Sequence, residues 1–130
     1  MNTLVALEFS QPDVLDHLPA LDVAALDALE FGVIGIDAEG VVRDYNAFES
    51  KLAGLSKDRV VGHPLFTVVA PCMNNFMVAH RFEEAASAAA VLDVTVDYVL
   101  TLRMRPVKVK LRLLARPGVA RRYVLVNRKP

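Results

Sequence analysis

The 130-residue sequence predicts an α+β domain, a five-stranded antiparallel sheet flanked by short helices with a helical cap at its N-terminal end. Three observations carry that prediction. Residues 94–105 and 107–116 alternate apolar and polar side chains with a two-residue period, which gives a strand one buried and one wetted face. Residues 13–30 and 76–90 instead repeat their apolar positions at helical spacing. Two strands come before a run of short helices and three follow it, an order that resembles the PAS fold.

The elements follow in chain order. DVLDHLPALDVAALDALE (13–30) is interrupted at Pro19, which predicts two short amphipathic helices packed on a larger body. FGVIGID (31–37), the turn AEG and VVRDYN (41–46) read as strand, tight turn and strand. Asn46 is placed to cap a helix AFESKLA that Gly54 stops. A second brief helix begins at Ser56 and ends at Gly62, and HPLFTVVAPC is an apolar connection. The 76–90 stretch predicts the one long helix, with Val78, Phe82, Ala85 and Ala89 along one stripe. In the strands that follow, Val94, Val96, Tyr98, Leu100, Leu102 and Met104 face inward, and Lys108, Lys110 and Arg112 face outward. RRYVLVNRK supplies the last strand. The expected division is a cap over 1–27 and a sensor domain over 28–130.

Composition narrows the function. Fifteen basic and fifteen acidic residues balance, which argues against the broad positive footprint of a nucleic-acid-binding protein. No apolar run approaches the roughly 18 residues that span a bilayer. Early acidic residues without a basic leader, together with a single cysteine, predict a reducing, cytoplasmic setting.

Two groups of residues can carry chemistry. Tyr45 and Glu49 are four apart at a strand–helix junction, and Glu49 shares its side with Leu52 and Ala53. A carboxyl on an apolar side is pushed toward its protonated form, so the two residues are either a pair of buried donors for an anion or an exposed glutamate beside a core tyrosine. Cys72, in VAPCM, is either a buried structural thiol, a nucleophile, or an attachment point. A cysteine hydrolase needs a histidine base. His80 lies about 200° around its helix from Val78 and faces solvent, His17 belongs to the N-terminal segment, and His63 adjoins a proline. The sequence holds no metal-ligand spacing, glycine-rich phosphate loop or serine triad.

YNAFE (45–49), VAPC (69–72) and MRPVKVK (104–110), in that order around a unique cysteine, resemble the photoactive yellow protein family, with its YNxxE, VAPC and MxPxKVK. FGVIGID, GLSKDRVVGHPLF and RRYVLV extend the resemblance over residues from about 28 to 128. It implies a blue-light photoreceptor, not an enzyme, with 4-hydroxycinnamic acid (p-coumaric acid) held on Cys72 as a thioester. Protonated Glu49 and Tyr45 would hydrogen-bond the buried phenolate, and the Cys72 N–H would bind the thioester carbonyl. Tyr98, Leu100 and Met104 would wall the pocket, with Val69 and Ala70 beside the thioester. The partner implied is an unidentified downstream signalling protein, with no nucleic acid and no membrane, read by a monomer or weak dimer. The alternative is a chromophore-free PAS module that binds a small ligand or a protein.

The sequence also departs from the family pattern. Ala53 stands where many members have a threonine that supports the tyrosine, and Leu55 where the best-known members have an arginine over the phenolate. Leu100 replaces an aromatic residue and Tyr123 a tryptophan, and one residue is inserted near the Ala-rich helix end. These changes bear on spectrum and kinetics more than on attachment.

Overall fold

The computed structural model describes residues 7–101 and 106–128. Five antiparallel strands, β1 (Gly32–Ile36), β2 (Val42–Tyr45), β3 (Leu92–Leu100), β4 (Val107–Ala115) and β5 (Arg122–Asn127), form one sheet in the order β2-β1-β5-β4-β3. Between β2 and β3 run α3 (Ala47–Ala53), α4 (Lys57–Val60), a single π-type turn (Leu65–Val69), a 3-10 turn (Pro71–Met73) and α5 (Ala79–Ala88). Ahead of the sheet lie α1 (Val14–His17), a 3-10 turn at Leu18–Ala20 and α2 (Val23–Asp27).

Strand alternation creates two cores, one on each face of the sheet. The inner core joins Ile34, Ile36, Tyr45, Leu100, Leu111, Leu113, Val124 and Val126 to residues of the helical run, among them Leu65, Ala70, Met73, Val78 and Phe82. The outer core joins Phe31, Val33, Leu114, Tyr123 and Leu125 to Val14, Leu15, Leu18 and Leu26 of the N-terminal helices. The helices therefore cover both faces of the sheet.

That second cover corrects the expectation for Arg112. Alternation does put it on the outer face, but there it is only 5% exposed. Its guanidinium forks onto Asp93 (2.9 Å to each carboxylate oxygen) and donates to the carbonyls of Phe9 and Gln11 at 2.9 and 2.7 Å. Arg116 adds a more exposed bond to Asp16 at 2.6 Å.

The long helix is shorter than its apolar spacing implied. Asn75 takes over the amides that a longer helix would use, its Oδ1 accepting from Met77 and Val78 N–H at 3.0 and 3.2 Å. Phe76 is left exposed, and the helix starts at Ala79. At the other end Ala89 adopts a left-handed conformation (φ 51°) in place of a further helical turn. His80 is exposed, as its helical position requires. Of the strand expected over 94–105, residues 102–105, including Met104, lie outside the described residues.

Candidate functional site

Tyr45, the last residue of β2, pairs with Ile34 across the sheet and is buried on the inner face. The next residue, Asn46, ends the strand and starts the helix. Its Oδ1 accepts from the amides of Glu49 (3.1 Å) and Val33 (2.9 Å), while its Nδ2 donates to the carbonyls of Leu26 (2.9 Å) and Phe31 (3.0 Å). This N-cap fixes the first turn of α3, so Glu49 projects back over the sheet. Gly54, in the left-handed region at φ 74°, closes the helix behind buried Ala53.

Glu49 is 1% exposed. Its carboxylate lies over Gly32, where a Cβ would come within 2.1 Å of Oε1. Only glycine leaves that space. Both carboxylate oxygens accept from the Arg128 guanidinium, Nη1 to Oε1 at 2.6 Å and Nη2 to Oε2 at 3.0 Å. Burial pushes the Glu49 carboxyl above the usual carboxylate range, with the hydrogen bonds and charge of Arg128 pulling the other way. The sequence reading, which set Glu49 beside Tyr45 as a donor, missed Arg128. Its signal was the alternation of β5, since Val124 and Val126 face inward and Arg128 continues their register.

The Tyr45 phenol is also raised well above its ordinary value, first by burial and then by the Glu49 charge, with Arg128 opposing. It stays an O–H donor at any physiological pH.

The cysteine is held from the opposite side of the helical run. Two amides, Val69 and Ala70, bond five residues back, to Pro64 O (3.2 Å) and Leu65 O (2.7 Å), the mark of a π-type turn. Such turns are rare and frequent at functional sites. The chain then enters the 3-10 turn, in which Met73 N–H bonds Ala70 O and Asn74 N–H bonds Pro71 O. The Cys72 N–H, in the first turn, donates to none of the described residues. Cys72 itself is a half-buried free thiol packed on the inner core.

Tyr98 ties this turn to β3. Its hydroxyl donates to Cys72 O at 2.5 Å and accepts from Asn75 Nδ2 at 2.6 Å, and the same amide nitrogen reaches Cys72 O at 3.2 Å. Asn75 is a second positioning residue that sequence reasoning missed, because its partners are a tyrosine 23 residues away and local amides.

Of the expected site residues, Tyr45, Ala70 and Leu100 belong to the inner core, and Leu55, Val69, Cys72 and Tyr98 pack against it. Ala53 is buried at the end of α3, one turn beyond Glu49. Leu55 is half-buried and apolar, so charge reaches Glu49 from β5 instead of from this loop. Tyr123 lies on the outer face against the cap, its phenol pushed up to about 12, chiefly by burial.

Comparison with known proteins identifies the family. Residues 26–129 match the PAS fold family. Photoactive yellow protein from Rhodothalassium salexigens is 34% identical over 107 residues, covering 82% of this chain and 85% of that protein. The protein of the same name from Rhodobacter capsulatus is 26% identical over 114 residues, 88% of this chain and 91% of that one. Among solved structures, the photoactive yellow protein domain of the sensor histidine kinase Ppr from Rhodospirillum centenum superposes with a TM-score of 0.79 at 34% identity, over 86% of this chain and 97% of that domain. The PAS domain of the Cronobacter turicensis RpfR quorum-sensing receptor, at 13% identity and a TM-score of 0.60 over 78% of this chain and 95% of that one, shares the fold alone. The chain belongs to the photoactive yellow protein family, within the PAS fold.

Proposed function

We propose that this protein is a blue-light photoreceptor that carries p-coumaric acid as a thioester on Cys72. The observation that bears most on this reading is the buried pair Tyr45 and Glu49 on the same inner face that receives the Cys72 turn. The residues suit an aromatic anion attached through a carbonyl. Tyr45 keeps its proton, burial drives Glu49 toward its protonated form, and the Cys72 N–H is uncommitted to any described residue.

When bound, the group supplies a conjugated double bond that blue light isomerises from trans to cis, and a phenolate that accepts a proton. The chain does the rest. Cys72 Sγ would take the acyl group from an activated p-coumarate, its thiol proton leaving with the displaced carrier, and its N–H would hold the thioester carbonyl. Glu49 would give its proton to the phenolate oxygen and become a buried carboxylate, whose desolvation Arg128 offsets only in part. Against a total stability of about 5–15 kcal/mol, the part left over is enough to loosen a local segment.

The cap is the segment in reach. Asn46 bonds both the first turn of the Glu49 helix and the Leu26 and Phe31 carbonyls, and the Asp27 side chain accepts from Ala47 N–H at 2.8 Å. A shift of α3 is thereby transmitted to α2, and a downstream signalling protein reads the altered cap.

The experiment is to incubate the apoprotein with p-coumaric anhydride or the coenzyme A thioester. A yellow adduct of one p-coumaroyl mass, lost in Cys72→Ala, is the expected result. A protein that forms no adduct, or that releases free acid, is not this photoreceptor; the first outcome leaves a chromophore-free PAS module and the second a thioesterase.

A further inference from the structure

We infer that Arg128 is the resident counter-ion of Glu49, a positioning residue that holds the carboxylate whenever Glu49 has given up its proton and thereby delays the proton's return. The inference rests on the proposed function for its kinetic consequence and on geometry for the rest.

The fork of Arg128 on Glu49 is bidentate, and the Arg128 side chain is 15% exposed against 2% for Glu49. Such a planar fork matches a carboxylate in a way a lysine ammonium does not. The carboxylate sits against the sheet at Gly32, where a Cβ would lie 2.1 Å from Oε1 and 3.1 Å from the Val126 Cβ. Among the described residues, the charged and titratable groups that act on this site are Arg128 from the end of β5 and the Tyr45 phenol from β2. Leu55, at the loop after α3, brings an apolar side chain. Among the described residues one arginine therefore supplies the charge that offsets part of the cost of ionising Glu49 in an apolar interior.

The charge balance follows directly. With the proton on Glu49, the site's negative charge would be the phenolate, and the Arg128 fork would face a neutral carboxyl. With the proton on the phenol, the negative charge is the Glu49 carboxylate, and the arrangement is the fork seen here. Arg128 favours the second state over the first, so it lengthens the life of the light product.

The test has two arms. In the apoprotein, the ¹³C resonance of the Glu49 carboxyl is titrated in the wild type, Arg128→Gln and Arg128→Lys. The expected midpoint rises by about one pH unit or more in Arg128→Gln, roughly a tenfold change in proton affinity, and falls part of the way back in Arg128→Lys. In protein loaded with p-coumarate, Arg128→Gln returns to its resting colour about tenfold faster than the wild type, with Arg128→Lys between them. An unchanged apoprotein midpoint overturns the assignment whatever the loaded protein does, and unchanged recovery in protein that loads overturns its kinetic role. The titration needs no chromophore, so failure to load would sink the proposed function and leave Arg128 to be judged by the first arm.

Discussion

The two faces of the sheet each bury an arginine–carboxylate fork, and the forks are built in opposite senses. On the outer face the buried member is the cation: the Arg112 side chain is 6% exposed and Asp93 41%. Arginine does not lose its proton, and two backbone carbonyls of the cap take two more of its donors. On the inner face the buried member is the carboxylate of Glu49, a group whose charge can be removed by one proton. A buried cation with fixed charge fastens two segments, whereas a buried carboxylate stores a charge state that a reaction can change. The outer fork is therefore a structural tie, and the inner one is where the proposed proton transfer would act.

Breaking the outer fork carries the largest expected effect. Arg112→Met leaves the Phe9 and Gln11 carbonyls and the Asp93 carboxylate without their donor, for a loss of about 2–4 kcal/mol in denaturant unfolding. Protease cleavage near residue 10 should accelerate in the same variant, while the Glu49 titration stays put. An equal shift in both forks' behaviour would show that the faces are not separable.

Asn46→Ala comes next, at about 2–3 kcal/mol, since it removes the cap of α3 and leaves two buried amides and two carbonyls unsatisfied. It tests the bridge between the faces: the cap should become more susceptible to protease although no cap residue is changed. A cap that stays protected would place the coupling elsewhere.

Alkaline pH gives a smaller effect with a defined sign. Tyr45 and Tyr123, one buried on each face, both have raised phenol values, Tyr123 to about 12. In the unfolded chain tyrosine ionises near pH 10, so between about 10 and 12 the unfolded state binds fewer protons than the folded one. Stability falls as pH rises through that window. Following phenolate absorbance near 295 nm alongside unfolding would check that these two titrate late.

The smallest expected change lies away from both faces. Ala89 is exposed and left-handed, a conformation that costs an alanine about 1 kcal/mol and a glycine little. Ala89→Gly should raise stability by about 0.5–1 kcal/mol in thermal or denaturant unfolding. A loss would mean that the helix end is set by something other than backbone strain.

What could be read from the sequence divides along physical lines. Local signals worked: Pro19 ends α1, Asn46 caps α3, Gly54 closes it, and the alternation of β3 separates inward Tyr98 and Leu100 from outward Asp97 and Val99. Alternation tells which residues share a face but not what covers it. Arg112 was thus read as solvated until the cap came to lie on it. Pairing between distant segments leaves no local spacing at all, which hid the Arg128–Glu49 fork and the Asn75–Tyr98 bond. The start of α5 was misjudged because the Asn75 side chain competes for amides that apolar periodicity assigns to a helix.

The central claim is that the inner face is a light-driven proton site, with Glu49 as the donor. The direct measurement is the visible spectrum of the Cys72-loaded protein before, during and after blue light, in the wild type and in Glu49→Gln. The account predicts a band that bleaches and returns in the dark, with both its position and its return altered by the substitution. An absorption maximum and a photocycle identical in the two proteins would contradict it.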